Sequence, residues 1–288
     1  MNNKNIFYYY CSLDTLNKII EGKTIRLSNI DRMNDSNEGK DIEKFAKDII
    51  EDMHESLKEQ YYNQRIYISC FSKGKDILSQ WRAYGDNGKG VAIGFDLSEL
   101  QIPEITLNSD YQFGLTHMLG RAEVIYTSTE KEKTVAKIDI TPRLRALNLG
   151  GVQGMTNASL NEFSEVVKLK PIFKDEYFIE EKEVRLIYYC MDSELIKNKI
   201  KPLNYAPKSN YDYKLNDKFK YIVKNNQIVD YIELNIAKEN ENISNKLIKE
   251  IVLGPKASID TDDYILRKFL EDNGLGEIVI SKSQGSYR

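Results

Sequence analysis

The chain has 288 residues, 30% of them charged, with a formal net charge of −3 at pH 7. That is enough chain to bury a sizeable core, and the mildly acidic balance excludes a global basic footprint for nucleic acid while leaving a local basic groove open. No stretch approaches the ~20 apolar residues of a membrane span, and the opening MNNKNIFYYY lacks the charged-then-apolar layout of a secretory signal, so a cytoplasmic protein without membrane association is expected.

The first element is a strand over residues 6–11. Ser12 then caps a short helix carrying Leu13, Leu16, Ile19 and Ile20 and stopped by Gly22. TIRLSN reads as a strand. Ile42, Phe45, Ala46, Ile49, Ile50, Met53 and Leu57 recur at helical spacing and predict one longer helix, with His54 beside its apolar stripe. RIYISCFS is a strand, and GVAIGFD is a second with a nearly continuous apolar run, so it is placed centrally. Between them Ile77, Trp81 and Tyr84 share a face of a short helix ended by Gly85.

From 97 to 175 only AEVIYT reads as a strand and 156–169 as a helix. GGVQG at 150–154 is a glycine-rich connection without phosphate-loop spacing. EVRLIYYC is a strand. FKYIVKNNQIVDYIELNI alternates on both sides of Asn225-Asn226 and reads as a hairpin. IKEIVLGP gives a strand closed by Pro255, DDYILRKFLEDNG a capped helix, and EIVIS a last strand. No linker or repeat divides the chain, and the elements mix without regular βαβ alternation. Residues 1–288 therefore read as one α+β domain, with a mixed, mostly antiparallel, partly split sheet flanked by helices.

Cys11, Cys70 and Cys190 stand far apart with no CxxC, which fits a reducing compartment and gives no zinc pattern. With two histidines in the chain, no metal site is expected. GxSxG, HExxH and Walker motifs are absent. The chemistry is sought instead in polar clusters beside sharp turns.

Three stand out. SNIDRMNDSNEG runs from Ser28 to Gly39, where Asn34, Asp35 and Glu38 suit either a ligand or a helix cap. LSQWRAYGDNGKG holds the single tryptophan, Trp81, whose packing with Ile77 and Tyr84 leaves Ser79, Gln80 and Arg82 over. Gly88 and Gly90 let a ligand approach the backbone there, and the fixed donors of Arg82 suit phosphate or carboxylate, unless the arginine makes a structural ion pair. In FIEEKEVRL, alternation puts Glu181, Glu183 and Arg185 on one face. That is either a pair of carboxylates able to stabilise a developing cation and orient a nucleophile, or a solvated sheet edge.

YYYCSLDTLNKIIEGKTIRLSN, MNDSNEG, ISCFS, LSQWRAYGDNGKGVAIGFD, IEEKEVRL, IKEIVLGP and the terminal SKSQGSYR resemble, in order, the motifs of a bacterial family of unknown function. Its members carry Y-x-Y-T-S, N-D-x-x-E, S-F-S, S-Q-W-R-x-Y, E-x-E-x-R and a closing S-x-x-x-Y-R. The resemblance runs over nearly the whole chain. More distantly, the N-terminal pattern is similar to ADP-ribosyltransferases of the DNA-modifying toxin type, which implies an ADP-ribosyltransferase-like fold and NAD as substrate. By that resemblance Tyr9 stands where the relatives keep a nicotinamide-site histidine, a departure, and Cys11 where they keep threonine. Ser69 falls near their serine-containing strand. Glu181-x-Glu183 resembles their E-x-E, in which the second glutamate is catalytic.

The expected function is then an NAD-dependent ADP-ribosyltransferase-like protein, of the toxin or phage-defence effector kind, modifying nucleic acid or protein. Glu183 stabilises the cationic ribose and adds little to holding the fold, Glu181 positions the nucleophile, and Arg82 anchors the pyrophosphate. Tyr9, Cys11, Ser28, Asn34, Asp35, Glu38, Ser69, Gln80, Trp81 and Tyr84 surround the nucleotide. The alternative is a non-catalytic sensor of a nucleotide or phosphorylated ligand, and a third reading is a scaffold whose polar motifs are structural.

Overall fold

The fold is that of a computed structural model, in which the described residues are 6–33, 37, 39–53, 55–108, 118–139, 152–190, 215, 219–224, 226–238 and 240–285. Strand β1 (Ile6–Cys11) runs into helix α1 (Leu13–Gly22), whose Ser12 cap accepts from the Thr15 N–H. The residue that turns the chain out of α1 in the left-handed region is Lys23, at φ 52°, and Gly22 stays in the helix. Strand β2 (Thr24–Asn29) follows.

The single long helix expected over 42–57 is instead three short ones, α2 (Ile42–Phe45), α3 (Lys47–Glu51) and α4 (Glu55–Tyr62). Ala46 departs from helical geometry at φ −112°, ψ 25°, which separates the first two. Ile42, Ala46, Ile50, Met53 and Leu57 are all buried nonetheless. Apolar spacing reports which side faces the core; it does not require one continuous hydrogen-bond ladder. His54 lies outside the described residues.

Strands β3 (Arg65–Ser72) and β4 (Val91–Asp96) bracket α5 (Leu78–Ala83), with β5 (Met118–Glu123), α6 (Ser128–Val135) and α7 (Val152–Leu169) beyond. Helix α7 takes in Gly154, where the sequence suggested a connection. Strand β6 (Glu183–Cys190) precedes the hairpin of β7 (Lys220–Lys224) and β8 (Gln227–Asn235), in which Lys224 pairs with Gln227. Strand β9 (Ile248–Leu253), helix α8 (Tyr264–Asp272) and strand β10 (Val279–Lys282) complete the described elements.

The strands form one open sheet in the order β10-β9-β4-β1-β3-β2-β8-β7, antiparallel throughout except for β10 on β9. Strand β3 is the branch point. It pairs with β6 over its full length, and also with β1 at Ser72 and with β2 at Tyr67 and Ile68; β5 adds outside β6. The architecture is α+β, as expected.

Register assigns the faces. Tyr8 pairs with Ser72, and Ser72 pairs with Glu183, so these residues share one face, along with Tyr10, Cys70 and Arg185. Tyr9, Cys11, Ser69, Phe71 and Val184 point to the other. Helices α1 and α8 cover that second face through Leu16, Ile19, Ile20, Leu266 and Leu270. Helices α2, α3, α4 and α7 cover the first through Ile42, Ala46, Ile50, Met53, Leu57, Phe163, Val166 and Val167. Helix α5 sits on the same first face, where Trp81 packs with Tyr8, Tyr10, Ala92 and Val252.

Candidate functional site

Trp81 is 1% exposed. Its ring meets Tyr10 edge-on at 4.7 Å between centroids, and its indole N–H donates to Asp76 Oδ1 at 2.6 Å. Asp76 also accepts from the Ser283 hydroxyl at 2.6 Å and the Gln284 N–H at 2.8 Å. Partial burial alone would raise the Asp76 pKa, but these donors outweigh it and hold the carboxylate below its ordinary range. Gly85 belongs to the same packing, because a Cβ there would lie 2.6 Å from Trp81 Cε3. The polar neighbours of Trp81 in sequence therefore leave its ring apolar company in space, with Tyr84 among the residues packed beside it.

The glycines after α5 serve the backbone. A Cβ at Gly90 would lie 2.1 Å from the Cys11 carbonyl oxygen. Gly254 N donates to Gly90 O at 2.9 Å, and Lys256 N donates to Gly88 O at 2.8 Å. Close approach is used here by neighbouring strands rather than left open for a ligand.

The carboxylates stand on the same sheet face. Asp175 caps a 3₁₀ turn over Glu176–Glu181, and Lys182, left-handed at φ 46°, turns the chain into β6. Glu181 thus ends the turn, Glu183 opens the strand, and their carboxyl groups are hydrogen-bonded to one another. Lys174, arriving after α7, donates to Glu181 Oε2 at 2.5 Å and to Glu183 Oε1 at 2.8 Å. Arg185 reaches Glu183 Oε2 through Nε at 2.7 Å and Nη2 at 2.6 Å, and donates through Nη1 to Pro171 O at 2.7 Å. The Tyr84 hydroxyl contacts Glu181 Oε1 at 3.2 Å, across 97 residues of sequence. The frame is fixed by Ser72 Oγ donating to Glu181 O at 2.7 Å and by Glu183 N donating to the Tyr126 hydroxyl at 2.9 Å.

Glu181, Glu183, Lys174 and Arg185 are all buried, Arg185 completely. The solvated-edge reading of this strand start is thereby excluded. So is the expectation that Glu183 contributes little to the fold: its carboxylate joins two buried cations, and an unpaired charge left in such a place is costly.

The two carboxyls differ sharply. Burial, followed by the hydrogen bond and the charge of Glu183, raises the Glu181 pKa to about 7 against the pull of Lys174. For Glu183 burial acts in the same upward sense, but Arg185 and Lys174 outweigh it and hold the group at about 2. The short Lys174 contact alone would suggest an ionised Glu181. The adjacent anion of Glu183 opposes that and, with burial, raises the proton affinity of Glu181. Burial first, then the neighbouring carboxylates, push the Tyr84 hydroxyl well above its usual range, so it remains a neutral donor.

Of the residues singled out in the sequence, Glu181, Glu183 and Tyr84 come together. Gln80, one helical turn before Tyr84, is buried. Arg82 is on the exposed side of α5. Trp81 is a core residue beside the site. Tyr9 packs on Phe71 at 5.5 Å, Cys11 is in the apolar core, and Ser69 pairs with Leu186; all three project from the opposite sheet face. Ser28, paired with Ile68 and half-buried, is on the same face as the carboxylates. Asn34, Asp35 and Glu38 lie outside the described residues. Lys174 and Tyr126 were missed by sequence reasoning, and nothing in KPIFKDEYF or AEVIYT distinguishes them locally.

Among the described residues no group of three His, Cys, Asp or Glu side chains is placed to hold a metal ion, and no helix is long and apolar enough to cross a membrane. No curated protein and no solved structure matches the chain. Residues 80–186 match the model of a family described as "Protein of unknown function (DUF2971)", a span whose two ends, Gln80–Tyr84 and Glu181–Arg185, are the segments that meet at Tyr84 and Glu181.

Proposed function

We propose that the Glu181–Glu183 cluster is a proton-transferring site acting at a glycosidic bond, with NAD-dependent ADP-ribosyl transfer as its reaction. The observation that carries this reading is the split between two touching carboxyls, one titrating at about 7 and the other held ionised. A base poised near neutrality is the most effective kind at neutral pH, and a pair pushed apart by its surroundings is a usual sign of divided roles. The E-x-E spacing is shared with the transferases, although their catalytic glutamate is the second of the pair and the base assigned here is the first.

The roles follow from the contacts each carboxyl makes. Glu181, beside the Tyr84 hydroxyl, faces the incoming nucleophile. As the bond between ribose C1′ and the nicotinamide nitrogen breaks, its electron pair leaves with nicotinamide; the nucleophile bonds to C1′, and its proton passes to ionised Glu181. Glu183 is a positioning residue that sets the proton affinity of Glu181 from behind. Exposed Arg82 is assigned to the diphosphate. Tyr9, Cys11 and Ser69, on the far face, take no part. A nucleic-acid or protein acceptor, and an effector role in toxicity or phage defence, belong to the same proposal and rest on the resemblance alone.

A nucleotide or phosphate-ligand sensor is the second reading, favoured by the saturation of Glu183 by Lys174 and Arg185. Incubation with labelled NAD and cell extract separates the two. Nicotinamide release that falls ~10²–10³-fold in Glu181→Gln supports transfer. NAD binding without release supports the sensor, and neither event defeats transfer and leaves a sensor of another phosphorylated ligand.

A further inference from the structure

Gln80 is 6% exposed, and its Nε2 has no hydrogen-bond partner. The two ends of an amide head are assigned by their surroundings, and here those surroundings leave a sealed donor unmatched. Burying such a donor costs stability, and a methionine of similar length would fill the same space without that cost. Gln80 also occupies a particular place. Its carbonyl accepts from the N–H of Tyr84, the residue that closes α5, the Tyr84 hydroxyl touches Glu181, and α5 packs against the 3₁₀ turn that ends in Glu181. Of the other buried unmatched atoms, Ser69 Oγ is on the apolar face, and Tyr61 Oη belongs to α4, away from this site.

We propose that Gln80 is a ligand-contacting residue whose amide pairs with a carboxamide group of the molecule seated against Tyr84 and Glu181. An amide head offers a donor and an acceptor side by side, and its natural complement is a second carboxamide. The inference rests on the site described under Proposed function, and within that reading the carboxamide is that of nicotinamide. Retaining an unmatched donor is the kind of stability cost that ligand binding recovers.

The test is Gln80→Met, with Gln80→Leu as a second variant, followed by thermal unfolding and by calorimetric titration with nicotinamide, NAD and ADP-ribose. The midpoint of unfolding is expected to rise by a few degrees. Affinity for nicotinamide and NAD is expected to fall about tenfold or more, the scale of one lost hydrogen bond. ADP-ribose, which lacks the carboxamide, should bind within about twofold of wild type. Unchanged nicotinamide and NAD affinity overturns the proposal, as does a lowered unfolding midpoint in both variants. If wild type binds none of the three probes, the NAD reading itself fails. Gln80 is then judged by the unfolding midpoint alone, where a rise supports an amide kept for a ligand and no rise overturns it.

Discussion

Helices α1 and α8 cover one face of the sheet with Leu16, Ile19, Ile20, Leu266 and Leu270, and no charged residue is buried in that cluster among the described residues. The opposite face carries a smaller apolar cluster, and it also encloses Asp41, Lys131, Glu162, Glu165, Lys168, Lys170, Lys174, Glu181, Glu183 and Arg185. Lys131 is paired with Asp41 and also donates to the Lys174 carbonyl at 2.6 Å, and Lys168 meets Glu165 at 2.6 Å. The two faces are therefore stabilised under different conditions. The apolar face draws on area removed from water, which pH does not alter. The charged face depends on protonation states, because buried ion pairs contribute little over apolar packing yet cost much when one partner is lost. Charge is retained on the face that carries the candidate chemistry.

The comparison is sharpest in two substitutions of equal expected size. Phe95→Ala on the apolar face and Arg185→Met on the charged face should each cost about 3–5 kcal/mol at pH 7. Denaturant unfolding at several pH values distinguishes them. The Phe95→Ala loss should stay constant, whereas the Arg185→Met loss should shrink below about pH 4.5, because the stability from the depressed Glu183 pKa is present above its ordinary value of 4.5 and is lost as pH falls toward 2. Equal pH profiles would erase the distinction between the faces.

Glu183→Gln comes next, at about 2–4 kcal/mol, since it leaves Lys174 and Arg185 without their shared anion. A melting temperature within a degree of wild type would return Glu183 to a purely chemical role. In the same variant the Glu181 pKa should fall, because a neighbouring negative charge helps to raise it.

Wild-type stability should also decline as pH rises from about 4.5 to about 7. A carboxyl whose folded pKa is raised contributes stability that is complete below its ordinary value of 4.5 and is lost as pH rises through about 7. The slope can reach about 1.4 kcal/mol per pH unit. Glu181→Gln should flatten it, and an unchanged slope would move the titration elsewhere. The smallest effects are Tyr84→Phe, about 1 kcal/mol for its one hydroxyl contact, and Arg82→Ala, within about 0.5 kcal/mol for an exposed side chain. Arg82→Ala destabilising more than Tyr84→Phe would mean that their roles have been exchanged.

Most of the sheet was legible in the sequence because alternation and turn residues are local signals. The strands near 6–11, 66–72, 90–96 and 184–190, and the hairpin that pairs Lys224 with Gln227, follow from them. The long helix over 42–57 was not, since periodicity is the same for one helix or three. The Glu181–Glu183 pair could be noticed by spacing, but its burial could not: two carboxylates at a strand start look solvated until Lys174, nine residues before Glu183, folds back over both. The separation of Tyr9 from Glu183 depends on the Tyr8–Ser72 register, a long-range pairing with no local trace. Gln80 drew notice only as polar residue left over beside Trp81, and its unmatched amide exists only in three dimensions.

Trp81 is the sole tryptophan, so the chain carries a single indole chromophore, sealed from water and bound through its N–H to the aspartate that also holds Ser283 and Gln284. Its fluorescence is a label already in place. Emission excited near the red edge of protein absorption comes from one known position, three residues before Tyr84. Release of residues 283–284 from Asp76 would expose the indole nitrogen and shift that emission toward longer wavelength. Loosening of the charged cluster alone, with the aspartate contact intact, would leave its colour nearly unchanged.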